Sequence, residues 1–373
     1  MTDEFEIYRD SVRAFLEKEF LPHQERWRQQ HMPDRAAWKQ AGELGILLPD
    51  LPEEYGGSGG TFAHQAIVLE ELAYAGIQFG HSLQSIVGRY ILAFGTEQQK
   101  KRWLPRMASG DLVAAIGMTE PGAGSDLQGL KTTARRDGDE YVINGTKTFI
   151  TNGYHAGLVC LAVRTDPAAI ASRAISLIMV ETEGLRGFRA GKPFEKVGMH
   201  AQDTCELFFD DVRVPAANLL GPVEGKGLTQ MMSQLSYERL TVAVTAVATM
   251  ESAVAETTAY VKERIAFGKP LFELQNTRFK LVECATEALV ARRFIDDCIS
   301  RYIAGGLDDN SIAMAKYWLT ERQCRVVDEC VQLHGGYGYM MEYPIARMWV
   351  DGRVQRIYAG SNEILKEMIS WSL

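Results

Sequence analysis

Apolar residues at three- and four-residue steps open the chain: Phe5, Tyr8, Val12, Phe15 and Leu16 mark one face of an amphipathic helix. The stretch Leu48 to Thr61 (LPDLPEEYGGSGGT) interrupts this pattern with two prolines and four glycines and predicts a loop, after which Ala66 to Ala75 returns to helical spacing. From about Ala114 to Gly221 the pattern changes to short runs rich in β-branched and aromatic residues: Tyr141–Ile143, Lys147–Thr151, Leu158–Arg164, Ile175–Val180 and Cys205–Phe209. Asn144-Gly145 separates the first two, and because both residues tolerate positive φ it predicts a tight hairpin. From about Gly225 helical periodicity resumes in long segments, broken near Gly268-Lys269-Pro270, Gly305-Gly306 and Gly335-Gly336.

Helices, then strands, then helices segregate into layers instead of alternating as βαβ units, so a doubly wound parallel sheet is not expected. The pattern predicts a multidomain α+β protein: an N-terminal α-helical domain over 1–113, a middle antiparallel β-domain over 114–221 and a C-terminal helical bundle over 222–373. A length of 373 residues agrees with two or three domains of about 150 residues each.

The formal charge of -8 leaves no surplus of cations to neutralise phosphates, which argues against a general nucleic-acid-binding role. No run approaches the roughly eighteen apolar residues of a membrane span. The start, MTDEFE, lacks the basic and apolar segments of a signal peptide, and the end, Trp371-Ser372-Leu373, lacks the lysine of a peroxisomal address. A cytoplasmic protein is the expectation. Six scattered cysteines without a C-x-x-C pair read as thiols, and seven histidines without ligand spacing predict no metal site.

Four segments carry candidate chemistry. Met118 to Asp126 (MTEPGAGSD) is a strand end entering a glycine-rich turn, either an ordinary surface turn or a cradle of free amides for an anionic or heteroaromatic ligand. It lacks the third glycine and the βαβ context of a dinucleotide fingerprint. Phe149 and Thr151 share a strand face, as core residues or as a platform for a flat cofactor. Arg264 to Leu271 with Gln275, and Gln332 to Tyr339, are helix ends where arginine and glycines can receive phosphate, or where the arginine simply favours the helix dipole. His334 reads as a packed histidine.

In this order and at these separations, the four segments resemble the acyl-CoA dehydrogenase family over essentially the whole chain. The tract Val331 to Arg347 and the ending Gln355 to Ile364 are especially similar to long-chain members. The resemblance implies FAD and the α,β-dehydrogenation of an acyl-CoA thioester of medium, long or branched chain to a trans-2-enoyl-CoA, with hydride passing to flavin N5. It implies that Ile116, Met118 and Thr119 border the flavin ring, Thr119 as a hydrogen-bonding partner, and that Phe149 and Thr151 cover another side. Phe149 stands where many members have tryptophan. Arg264, Phe267 and Gln275, with Gln332, Gly335 and Gly336, would meet the adenosine half of FAD in a neighbouring subunit, so a homotetramer built as a dimer of dimers is implied. Ser361 and Glu363 complete the implied cofactor set. Ser125, Tyr237, Arg239, Tyr358, Ala359 and Gly360 form the implied substrate set, and Gly88 and Arg89 fall in the helix expected near the acyl tail. An electron-transfer flavoprotein would accept the electrons.

Many members carry the catalytic glutamate directly after the tyrosine of a Tyr-Glu-Gly-Thr motif, but here Ala359 follows Tyr358. The isovaleryl and long-chain types instead carry it on an earlier helix, in a segment that Ser236 to Leu240 (SYERL) matches, which makes Glu238 the candidate base. The residue pattern singles out the same position. Leu228, Met231, Leu235, Glu238, Val242 and Thr245 lie on one otherwise largely apolar helical stripe, and the adjacent Arg239 faces elsewhere. A structural ion pair with a tertiary partner is the alternative role. The resemblance further implies that the Ala359 amide and a ribityl hydroxyl of FAD receive the incipient enolate. A short acyl-CoA oxidase and a catalytically silent assembly protein of the same fold are the competing functions.

Overall fold

The computed structural model describes residues 3–166 and 168–373. The N-terminal helices are α1 (Asp3–Phe15), α2 (Gln24–Gln30), α3 (Arg35–Glu43), α4 (Phe62–Tyr74), α5 (His81–Phe94) and α6 (Glu97–Ala108). Two of them start at reciprocal caps, Thr61 with His64 before α4 and Thr96 with Gln99 before α6, each satisfying amides that a helix start leaves open. The strands are β1 (Ala114–Gly117), β2 (Thr133–Asp137), β3 (Glu140–Thr151) and β4 (Leu158–Arg164), followed by the short α7 (Ala171–Ala174), β5 (Ile175–Glu181), β6 (Phe188–Ala190) and β7 (Thr204–Pro215). The last third holds α8 (Gly227–Glu263), a two-stranded ribbon of β8 (Ile265–Ala266) and β9 (Lys269–Pro270), then α9 (Gln275–Ile303), α10 (Asp309–His334), α11 (Pro344–Gly352) and α12 (Asn362–Ser370).

The sheet runs β1-β4-β2-β3-β7-β6, with β5 also paired to β4. Antiparallel pairing joins β2 to β3, β3 to β7, β4 to β5 and β6 to β7, whereas β1 runs parallel to β4. The expected hairpin at Asn144-Gly145 is absent, because β3 continues through these residues as one twelve-residue strand. They form an irregularity in its pairing with β7, where Asn144 and Asp211 clamp across the strands. Gly145 (φ 149°) is needed there, since a Cβ would press on the Thr132 backbone. The tight turn instead falls between Asp137 and Glu140, the last registered pair of β2 and β3.

Strand β4 is buried on both faces, which explains its unbroken apolar run. Leu158, Cys160 and Ala162 join the helical core with Tyr90, Leu240 and Val244, while Val159, Leu161 and Val163 close a second core with Ile143, Ile178 and Leu207. Helix α8 is about 55 Å long at about 1.5 Å per residue and is the spine on which α4, α5, α9, α10 and α11 pack. Its buried Ala243, Ala246, Ala248 and Ala253 let neighbouring helices approach closely. The ends of β1 and β3 and the middle of α8 therefore face one space between the sheet and the helices.

Candidate active site

That space is a cavity of about 530 Å3. Its walls bring together Glu238 on α8, Ile116, Met118 and Thr119 at the end of β1, Phe149 and Thr151 on β3, and Tyr358 and Ala359 before α12. Residues separated by more than 200 positions thus share one chamber, because β1, β3 and α8 all end or cross at the sheet–helix boundary.

Glu238 lines the cavity, and among the described residues its carboxyl has one hydrogen-bonding partner, the Tyr90 hydroxyl at 3.0 Å from Oε1. Withdrawal from water pushes its carboxyl up to about 7, and neither the Tyr90 bond nor the charge of Arg239 offsets that rise. Tyr90 is fully buried, and its hydroxyl also lies 3.4 Å from the Met231 carbonyl. The tyrosine can donate to Glu238 when that group is ionised. It can accept from Glu238 and donate to Met231 when the carboxyl holds a proton. Tyr90 was not marked by any sequence motif.

Beyond Glu238 the wall of α8 continues through Thr241, Val242, Thr245, Thr249 and Ser252. This row looks polar in sequence, but its threonines do not turn a hydroxyl to the cavity. The hydroxyls of Thr241, Thr245 and Thr249 donate to Glu238, Thr241 and Thr245 carbonyls of their own helix at 2.7, 3.0 and 2.8 Å. With the hydroxyl turned back, the methyl is the group left for the cavity. Leu69 and Leu72 of α4 and Leu83 and Ile86 of α5 complete this apolar section. The helix that carries Gly88 and Arg89 does line this section, but these two residues do not: a Cβ on Gly88 would meet Leu48, and the Arg89 guanidinium lies over the Tyr237 ring.

Phe149 has a left-handed backbone (φ 58°), and its ring is 68% exposed beside Phe194. An apolar ring held outward in a disfavoured conformation is a platform and not part of the core. The turn Glu120 to Asp126 is fixed at its base, where Glu120 receives Lys147 Nζ at 2.8 Å and the amides of Lys131 and Thr132 at 2.7 and 2.9 Å. Beyond it the turn is open. The amides of Gly122, Gly124 and Ser125 have no acceptor among the described residues, and a Cβ on either glycine would meet nothing. Ser125 is exposed here and does not line the cavity.

Ala359 (φ 53°) and Gly360 (φ 85°) form a left-handed turn whose Ala359 amide likewise has no acceptor among the described residues. The neighbouring candidates have other places. Tyr237 packs against Phe62 and Tyr302 in the core, Arg239 lies buried behind the turn near Gly360, and neither lines the cavity. The Gly360 carbonyl is taken by Lys316. Ser361 caps α12 by accepting the Ile364 amide, with Glu363 in its first turn.

Arg264, Phe267, Gln275, Gln332, Gly335 and Gly336 do not join the cavity. All six are exposed on the outer surface, where the Arg264 guanidinium stands 5.3 Å from the Tyr337 ring centre. Phe267 and Gly268 both have positive φ at the tip of the β8–β9 ribbon, leaving the Phe267 ring 93% exposed. His334 is buried and stacked on Tyr260 at 4.1 Å, the packing role its sequence context suggested.

Three family models cover the chain: the acyl-CoA dehydrogenase N-terminal domain over residues 2–111, the middle domain over 115–212 and the C-terminal domain over 225–373. The mitochondrial long-chain specific acyl-CoA dehydrogenase of Mus musculus is 46% identical over 99% of this chain and 86% of its own length. A crystal structure of acyl-CoA dehydrogenase from Geobacillus kaustophilus is 48% identical and superposes with a TM-score of 0.97, covering 100% of this chain and 98% of that one. A glutaryl-CoA dehydrogenase from Mycobacterium smegmatis in complex with FADH2 is 29% identical with a TM-score of 0.93, covering 100% and 95%. The layered fold, the chamber between sheet and helices and these likenesses along its whole length make this chain a member of the acyl-CoA dehydrogenase family.

Proposed function

We propose that the protein catalyses the FAD-dependent α,β-dehydrogenation of an acyl-CoA thioester, with Glu238 as the base that takes the α-proton. The observation that carries this reading is a carboxyl raised to about 7 on an apolar wall, in the same chamber as the left-handed turn with the free Ala359 amide. A base near neutrality suits removal of a weakly acidic proton at physiological pH. The Ala359 N–H is suited to receive the thioester oxygen as charge moves onto it. Glu238 can keep the abstracted proton, with Tyr90 turning its own hydrogen toward Met231.

The residues fit FAD. An outward aromatic platform at Phe149, Thr151 beside it and a turn with open amides at Gly122, Gly124 and Ser125 suit a flat ring joined to a diphosphate. FAD supplies the acceptor for the β-hydrogen and its electron pair, the chemistry that no side chain here offers. The second set, Arg264, Phe267, Gln275, Gln332, Gly335 and Gly336, lies on the outer surface and suits a cofactor shared with a second copy. Helix α9 carries exposed Phe279, Val282 and Leu289 at helical spacing, an apolar face that a second copy would cover. These features support a dimer of dimers. An electron-transfer flavoprotein is the proposed acceptor.

The methyl-lined section supports a long acyl chain. From Glu238 to Ser252 helix α8 advances about 21 Å at about 1.5 Å per residue. An extended alkyl chain with bonds of about 1.5 Å at about 111° advances about 1.25 Å per carbon, so roughly 16 to 17 carbons span that section. Anaerobic mixing of the FAD-loaded protein with a series of acyl-CoAs tests the reading. Bleaching of the flavin, fastest with tails in that range and yielding 2-enoyl-CoA, is expected, and no bleaching with any acyl-CoA would overturn it. Reoxidation by air as fast as by electron-transfer flavoprotein would assign an oxidase.

A further inference from the structure

Lys316 on α10 is completely buried. Its ammonium donates to the Gly360 carbonyl at 2.8 Å and to Asn362 Oδ1 at 3.1 Å. Asn362 is itself held by the Thr320 hydroxyl at 3.0 Å and Glu321 at 3.1 Å, so the contact is part of a rigid bracket between α10 and the start of α12. Arg239 is buried on the other side of the same turn: its Nη2 would stand 3.7 Å from a Cβ at Gly360, and its Nε has no partner among the described residues. Among the described residues neither cation has a carboxylate within ion-pair distance, while the nearby Glu321 is paired with Arg356. Two buried cations without counterions are costly to hold. What they surround is the turn of two consecutive left-handed residues whose Ala359 amide is free.

We propose that Lys316 is a positioning residue for the acyl carbonyl: by gripping the Gly360 carbonyl and Asn362 it fixes the Ala359 N–H toward the cavity, where that N–H receives the thioester oxygen. The turn needs such a grip because Ala359 has a Cβ and does not favour positive φ. An N–H held there acts where negative charge grows as the α-proton leaves. Burial brings the Lys316 ammonium down to about 7, with Arg239 adding to the fall, and its two acceptors hold it in place. A lysine serving only to join α10 to α12 would have no effect on the carbonyl.

The test rests on the acyl-CoA reading and uses the FAD-loaded protein with trans-2-dodecenoyl-CoA labelled with 13C at the carbonyl. The infrared stretch of that carbonyl should fall on binding to the wild type. In Lys316→Met at least half of the fall should be lost, while FAD content matches the wild type and the enoyl-CoA Kd stays within about threefold. Anaerobic bleaching by dodecanoyl-CoA should slow about 100-fold, the scale of losing one oxyanion donor. If Lys316→Met does not fold, Lys316→Gln takes its place with the same readouts. An unchanged carbonyl stretch in a folded, flavin-loaded variant overturns the proposal, and so does loss of FAD from both variants, which would assign Lys316 to packing. Absence of bleaching in the wild type would overturn the acyl-CoA reading instead, so the two failures are distinguishable.

Discussion

Glu120 in the β-domain and Glu238 in the helical layer are both withdrawn from bulk water, yet they are driven in opposite directions. Burial opposes ionisation at Glu120, but Lys147 and the amides of Lys131 and Thr132 outweigh it and hold the carboxyl below its usual range. At Glu238 burial meets only the Tyr90 hydroxyl and the charge of Arg239, and the carboxyl rises to about 7. The difference lies in the number of donors and not in burial alone. A carboxylate with three donors anchors a turn, whereas one with a single donor can take up a proton.

Removing the base should have the largest effect. Glu238→Gln is nearly isosteric and should bind FAD and acyl-CoA but slow anaerobic flavin bleaching by about 1000-fold or more. Adding Ala359→Glu to Glu238→Gly should recover part of that rate, because both positions line the chamber and residue 359 already carries a Cβ at positive φ. Next comes Lys147→Met, which leaves Glu120 buried without its cation and should lower stability by about 3–5 kcal/mol, read from the urea midpoint. Its counterpart is a gain. The Glu238 carboxyl binds its proton more tightly folded than unfolded, so this group's contribution to stability should fall as pH rises from about 4.5 to about 7. Glu238→Gln escapes that loss and should be more stable than the wild type by roughly 1–3 kcal/mol at pH 8 but about equal to it at pH 4. The smallest effect belongs to the open end of the turn that Glu120 anchors, where Ser125→Ala should raise KM a few-fold with little change in kcat.

The layers and the position of Glu238 were legible because they rest on local period: 3.6 residues in the helices, two in the strands, and one carboxylate on an apolar stripe. Asn144-Gly145 misled because a strand irregularity and a tight turn call for the same backbone freedom, and only the pairing of Asn144 with Asp211 distinguishes them. Gly88 and Arg89 lie on the same helix as Ser82, Leu83 and Ile86, which do line the cavity, but on a face set by α5 packing. Tyr90 and Lys316 carry no local signal. Their roles come from partners 148 and 44 positions away in sequence, and only the packed fold brings them into contact.

The proposed chemistry requires Glu238 to be a carboxyl poised near neutrality. Infrared difference spectra of the FAD-loaded wild type minus Glu238→Gln, recorded across pH 4 to 9, would follow its protonated carboxyl band directly. A wild-type band, absent from the variant, is expected to titrate with a midpoint of about 7. A midpoint near 4.5, the ordinary value for a glutamate, would contradict it.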